Sequence, residues 1–137
     1  MRKRTKARQL VLQILYQMDV TNDFSKASLD GFWMEQKETI DTKVKEFVLE
    51  LLDGIQNHLE KIDCKIIQYA QNWDISRMAI VDRNILRQAC YELLYRQDIP
   101  PKVSINEAID LAKRFSGVEA GKFVNGILDK IRKDLDR

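Results

Sequence analysis

Histidine is nearly missing from this sequence: His58 is the only one in 137 residues, and the cysteines number two, Cys64 and Cys90. A zinc-type site needs three or four His, Cys or acidic ligands converging on one point, so this supply argues against a resident metal. Two separated cysteines are also a poor disulfide frame, and they read as buried or free thiols of a reducing, cytoplasmic compartment. The five glycines are scattered and build neither a Walker-type nor a dinucleotide-type phosphate loop, so no cofactor is expected. No nucleophile–base pair stands out, and carboxylate pairs among 21 acids arise by chance, so nothing supports an enzyme. No apolar run approaches the roughly 18 residues of a membrane helix, and no membrane partner is expected. With only two prolines, Pro100 and Pro101, long helices are easier to build than a many-turned β-fold.

What is present is charge, and it is polarised. Arg2, Lys3, Arg4, Lys6 and Arg8 fall within the first eight residues, and the first acid is Asp19. Without those five, the 23 basic residues drop to 18 against 21 acids, so the net +2 of the chain conceals a mildly acidic remainder. Clustered cations at one end of a helix suit phosphate binding, since each neutralises a phosphate and releases counterions. A solvated terminus that only aids solubility has the same composition. Arg8 and Tyr16 lie eight residues apart and can share a helical face, and an aromatic ring beside cations suits unstacked bases.

Apolar residues recur at helical spacing almost throughout, with no sustained strand alternation, which predicts a single all-α domain of about seven helices. The spacing predicts helices over about Lys6–Asp19, Ser28–Gln36 and Asp41 onward, the last with Val44, Phe47, Val48, Leu51, Leu52 and Ile55 on one face. Gly54 inside that stripe implies close packing by a neighbour. The pattern continues through Ile62, Ile66, Ile67 and Ala70 to Trp73, after a break near Leu59–Asp63. Ser76 is placed to cap a long helix to about Gln97, which Pro100-Pro101 ends. Ser104 and Glu107 have capping-box spacing for the next helix, which stops before Gly117. A last helix runs from about Glu119 to Lys133 on Val124, Ile127, Leu128 and Ile131.

Two further surfaces stand out. Phe123 falls one position off the apolar stripe of the last helix, so Lys122-Phe123 is either an exposed aromatic beside a cation or a core ring at its margin. Gly121 and Gly126 flank it, which points to close approach by backbone or ligand. Asp82, Arg83 and Arg87 lie on a largely apolar helix, either as an intrahelical ion pair or as a polar docking strip. The residues alone leave both choices open.

The segments ACYELL (Ala89–Leu94), Asp98-Ile99-Pro100, KVSINEAIDLAKRF (Lys102–Phe115) and KFVNGILDKI (Lys122–Ile131), in this order, resemble the NusB family of bacterial transcription antitermination factors. The opening ARQLVLQILYQMD (Ala7–Asp19), with its basic lead-in and Leu-Tyr pair, resembles it too. The likeness spans essentially the whole chain, although Asp23–Asn72 resembles the family more in helical pattern than in particular residues.

The resemblance implies two packed three-helix bundles and a role without catalysis. It implies binding of boxA-type single-stranded leader RNA, notably of ribosomal RNA operons, together with the ribosomal protein NusE, and through them an indirect link to the RNA polymerase elongation complex. Arg2, Lys3, Arg4, Lys6 and Arg8 (the basic lead-in), Tyr16, Lys122 and Phe123 would then face RNA. Tyr16, Asp82 and Arg83 would face the protein partner. Thr5 interrupts what is often a denser arginine run. A related module occurs fused to RNA methyltransferases, and at this length a free-standing version is expected. The competing expectation is a helical protein-interaction module that touches no nucleic acid, and a homodimer is a further possible state.

Overall fold

A computed structural model of the chain describes residues 2–71 and 73–137. Among the described residues run α1 (Lys3–Thr21), α2 (Lys26–Glu35), α3 (Thr42–Asn57), α4 (Leu59–Tyr69), α5 (Ile80–Tyr95), α6 (Pro101–Phe115) and α7 (Val118–Asp134). A 3-10 turn, Ile75–Arg77, precedes α5, and no strand is present among these residues.

Local chemistry explains most boundaries. Asp41 Oδ1 accepts from the amides of Lys43 and Val44 at 2.8 and 3.3 Å and starts α3, as its sequence position predicts. Ser25 caps α2, its hydroxyl accepting from the Ser28 amide at 3.2 Å. Asn22 ends α1 in the left-handed region at φ 53°, where an Asx residue is tolerated. Gly117, at φ 125°, makes the tight link into α7, a conformation closed to residues with a Cβ.

Three local expectations are corrected. Ser76 does not cap the long helix: it belongs to the 3-10 turn capped by Asp74, and α5 begins at Ile80. Ser104 and Glu107 form no capping box, because α6 starts a turn earlier with Pro101 in its first turn. The apolar pattern past Ile66 stays inside only at Ala70; Ile67 and Trp73 are 51% and 55% exposed.

α1 lies between α3 and α5, with α2 resting lightly on α1. α6 and α7 fold back on each other and close against α5, so α1–α3 and α5–α7 form two three-helix groups, and α4 leans on α5 and α7. α5 is the central element and is buried on nearly every side. Gly54 permits one close approach, since a Cβ there would run into the ring of Tyr91.

The seam between α1 and α5 is polar. Asn84, Gln88 and Glu92 recur every four residues and line one face of α5, and all three are buried. Asn84 donates to Asp19 at 2.8 Å, Gln88 donates to the Arg8 carbonyl at 3.2 Å, and Glu92 receives the Arg8 guanidinium. The two helices are thereby fixed in register from the start of α5 to its end.

Candidate nucleic-acid interface

The basic lead-in is the first turns of α1 rather than a loose arm. Arg2 is its N-cap residue and makes no side-chain cap bond, and no acid occupies the first turn. The exposed amide end of a helix carries partial positive charge, so cations there are disfavoured by roughly 0.3–1 kcal/mol each unless an anion joins them. Arg2, Lys3 and Arg4 are exposed and Lys6 is half-buried. Lys3 meets Asp41 at 3.4 Å across open solvent, a pair worth little. Arg4 lies over the Phe47 ring, 4.4 Å from its centroid. Arg96 approaches the same ring at 5.5 Å, but its fork holds Asp98, and that hydrogen-bonded ion pair brings the Asp98 carboxyl down to about 2.

Arg8 is a correction to the lead-in reading. Its side chain is 3% exposed and binds both oxygens of Glu92, Nε and Nη2 each at 2.9 Å. Glu107 comes within 3.6 Å, Thr5 donates to Glu107 at 2.7 Å, and Ser104 donates to Glu92 at 2.7 Å. The two residues read as a capping box thus serve a buried ion pair that joins α1, α5 and α6. Arg8 also faces inward while Tyr16 faces out, so the shared face expected for them does not exist.

Tyr16 is 43% exposed and lines an apolar groove of about 510 Å³ with Leu12, Val20, Phe32, Val81 and Phe115. Gln13, Gln17 and Thr21 supply its polar rim, and no charged side chain lines it. That chemistry fits an apolar protein surface better than a phosphate backbone.

Asp82 and Arg83 take different places at the start of α5. Arg83 grips Asp19 with Nε and Nη2 at 2.7 and 2.6 Å, while Arg87 reaches Asp19 at 3.0 Å and also holds Asp63. The intrahelical pair expected among 82, 83 and 87 is therefore replaced by a network across α1, α4 and α5. Burial alone would push the Asp19 carboxyl up; hydrogen bonds from Arg83 and Asn84, then the charges of Arg87 and Arg83, outweigh it and hold the group below its ordinary value. Asp82 sits in the positive first turn of α5, and its buried Oδ1 has no hydrogen-bond partner.

Lys122 is exposed near the start of α7, and Phe123 is half-buried against the core margin, so both readings of Phe123 hold in part. Its ring meets Trp73 edge to face, with centroids 5.6 Å apart. The two border a trough of about 340 Å³ that also takes in Tyr69, Gly126 and Lys130. The glycines divide: a Cβ at Gly121 would come within 3.0 Å of the Lys113 side chain, while at Gly126 it would meet nothing within 4 Å. Trp73, Tyr69 and Lys130 are absent from the sequence-derived set. The charge and aromaticity were visible, but Trp73 was absorbed into an apolar stripe that ends before it.

The lead-in, the Tyr16 groove and the Phe123 trough thus form three patches that share no lining residue. The lone His58 stacks on Tyr95 with centroids 4.0 Å apart, which accounts for it structurally.

Residues 5–133 match the model of the NusB family. A transcription antitermination protein NusB of Thermodesulfovibrio yellowstonii is 42% identical over 140 residues, covering 96% of this chain and 93% of that protein. The solved structure of T. maritima NusB superposes with a TM-score of 0.86 at 42% identity, covering 96% of this chain and 91% of that one. A crystal structure of the antitermination factors NusB and NusE in complex with dsRNA superposes with a TM-score of 0.87 at 31% identity, covering 98% of each chain.

Proposed function

This chain belongs to the NusB family of transcription antitermination factors, which is not an enzyme family, and from that premise we propose that it is an RNA-binding antitermination adaptor. It binds boxA-type single-stranded leader RNA together with the ribosomal protein NusE and supports processive transcription of ribosomal RNA operons in the cytoplasm. RNA polymerase is engaged indirectly, through that complex.

The observation that carries the reading is the N-terminus of α1, where Arg2, Lys3, Arg4 and Lys6 gather on a helix end with no acid in its first turn. An uncapped, cation-bearing helix end gains most when phosphate arrives. The solved relative in complex with NusE and dsRNA supports both partners. The uncharged Tyr16 groove is the surface we assign to NusE, with Asp82 at its edge beside Val81. Arg83 contributes there by holding Asp19 rather than by reaching out.

Filter binding with a boxA-like single strand and a scrambled control, with and without NusE, tests the proposal. Weak binding alone, tighter sequence-dependent binding with NusE, and a steep salt dependence are expected. Each phosphate contact adds roughly −0.7 to the log–log slope on a single strand, so four or five cations give roughly −3 to −3.5. Equal affinity for both strands, with and without NusE, would overturn it. Light scattering of the free protein distinguishes a monomer from a homodimer that buries the Tyr16 groove.

A further inference from the structure

We infer that the open groove between α2 and α3 docks a cationic amphipathic helix of a protein partner. The groove is distinct from the basic lead-in and from the Tyr16 groove, and the inference depends on neither.

Its volume is about 770 Å³, more than that of the Tyr16 groove, with which it shares no lining residue. α2 has one groove on each flank: Phe32 borders the Tyr16 groove, and Leu29, three positions earlier, borders this one. α2 rests on α1 but hardly touches α3 along its length. The two helices are tied at their ends instead. Gln56, late in α3, donates to the carbonyl of Phe24, just before α2, at 3.5 Å. Lys45, early in α3, lies over the ring of Trp33 near the end of α2, 4.9 Å from its centroid. The helices therefore run antiparallel, with the groove between the two ties.

The floor is apolar and the rim acidic. Leu49 is 39% exposed and Leu29 half-buried, beside the buried Leu52. One leucine at a surface is ordinary, but three converge here on a single concave site. Glu46, Glu50 and Asp53 line the same groove, and no cation does. They follow one another at four and then three positions along α3, so they share one stripe of the helix. Like charges at that spacing weaken a helix slightly, and an incoming cation removes that cost. Glu50 has one loose partner, Arg96 at 3.8 Å, whose fork is already on Asp98. Glu46 and Asp53 form no ion pair among the described residues.

Floor and rim together select the occupant. Three carboxylates with no cation among them repel a nucleic acid, whose binding runs on phosphate neutralisation. A simple metal cation makes no use of the leucines. A second copy of this chain offers the exposed Arg2, Lys3 and Arg4, but the apolar residues that follow, Leu10, Val11 and Ile14, are buried in their own core. A helix with Leu or Ile along one face and Lys or Arg on its flanks meets both demands, in the helix-in-groove manner. Glu46 to Gln56 covers roughly 15 Å of α3, so a partner helix of about three turns matches the groove.

The probe is a fluorescein-labelled Leu/Lys peptide with helical apolar periodicity. A scrambled peptide of the same composition and a Leu/Glu peptide of the same pattern are the controls. Titrated with the full chain, the probe should bind saturably, more tightly than either control, and more weakly as salt is raised. Amide chemical shifts should move around Leu29, Leu49 and Asp53. Glu46→Gln combined with Asp53→Asn should weaken binding about 2- to 30-fold, the loss of two exposed ion pairs, with the melting temperature and the affinity for a boxA-like strand unchanged. Leu49→Gln should weaken it as well, which separates an apolar floor from charge attraction alone. Equal affinity for the scrambled peptide, unchanged affinity in both variants, or shifts confined to the Tyr16 groove would overturn the assignment. Shifts of the same amides by a boxA-like strand would make the groove a nucleic-acid surface. A dimer of the free protein that Glu46→Gln with Asp53→Asn dissociates would give the groove to a second copy. Either of these results also overturns it.

Discussion

Arg8→Ala should unfold the protein far more readily than it weakens RNA binding. The guanidinium is 3% exposed and its partner Glu92 is 2% exposed, so neither charge is relieved by water. Two N–H groups at 2.9 Å satisfy both carboxylate oxygens, and Ser104 adds one hydroxyl at 2.7 Å. Alanine leaves that carboxylate buried with the hydroxyl alone. Removing one partner of a buried pair costs about 3–5 kcal/mol. For a chain of this size, that lowers the melting temperature by on the order of 10–20 °C. Arg8→Lys should recover little, since a single ammonium cannot meet both oxygens as the planar fork does. Arg8→Leu combined with Glu92→Leu should be nearly neutral, because the buried charge leaves with its partner, and Ser104 can turn to the carbonyl of the preceding turn. Circular dichroism melts of the four proteins, with urea titrations at constant m-value, measure this. An Arg8→Ala protein that melts within about 2 °C of the parent and loses RNA affinity would refute the reasoning and return Arg8 to the binding surface.

Gly54→Ala should cost about 1–3 kcal/mol, because the new methyl collides with the Tyr91 ring inside a packed interface, and a urea unfolding curve reads it. Acid should destabilise through Asp19: its carboxyl is held below its ordinary value of 3.8, so its contribution is complete above about pH 4 and is lost as pH falls through the lower folded value. Asp19→Asn should therefore be destabilised at pH 7 and show a shallower loss of melting temperature below pH 4. Ellman's reagent should titrate exposed Cys64 in the native protein and reach Cys90 only on unfolding, since burial pushes that thiol up to about 12; two fast equivalents would contradict the packing of α5.

Helices were legible wherever one face meets the core and the other meets water, as in α3, whose stripe from Val44 to Ile55 is buried as its spacing predicts. The polar seam was not. Asn84, Gln88 and Glu92 repeat every four residues on α5, and in one dimension such a row is indistinguishable from a solvated face. What buries it is α1, whose Arg8 lies 84 positions from Glu92 in the chain. Ser104 and Glu107 show the same limit from the other side. Their spacing is a true local signal, but Pro101 starts the helix a turn earlier, and the two side chains then answer to Glu92 and Arg8 rather than to backbone amides. At Trp73 the error was continuity. The apolar rhythm of α4 suggested one more turn inward, whereas the helix ends at Tyr69 and the indole remains outside.

The sorting of cations explains why charge counting overstated the first patch. A cation can serve a ligand only if no buried acid already holds it. Three arginines read as free or as local partners, Arg8, Arg83 and Arg87, are held by Glu92, Asp19 and Asp63 across helices. Each uses two nitrogens of its fork on a single carboxylate, which is the geometry arginine offers and lysine does not. The lysines beside the aromatic trough make no such commitment: Lys130 forms no ion pair among the described residues, and Lys122 forms only an exposed one. An exposed cation of either kind can meet a phosphate, whereas pairing with a buried carboxylate draws on the rigid fork. Commitment to a buried acid, rather than charge, thus separates Arg8, Arg83 and Arg87, which hold this fold, from the exposed cations Arg2, Lys3, Arg4, Lys122 and Lys130 that remain available to a ligand.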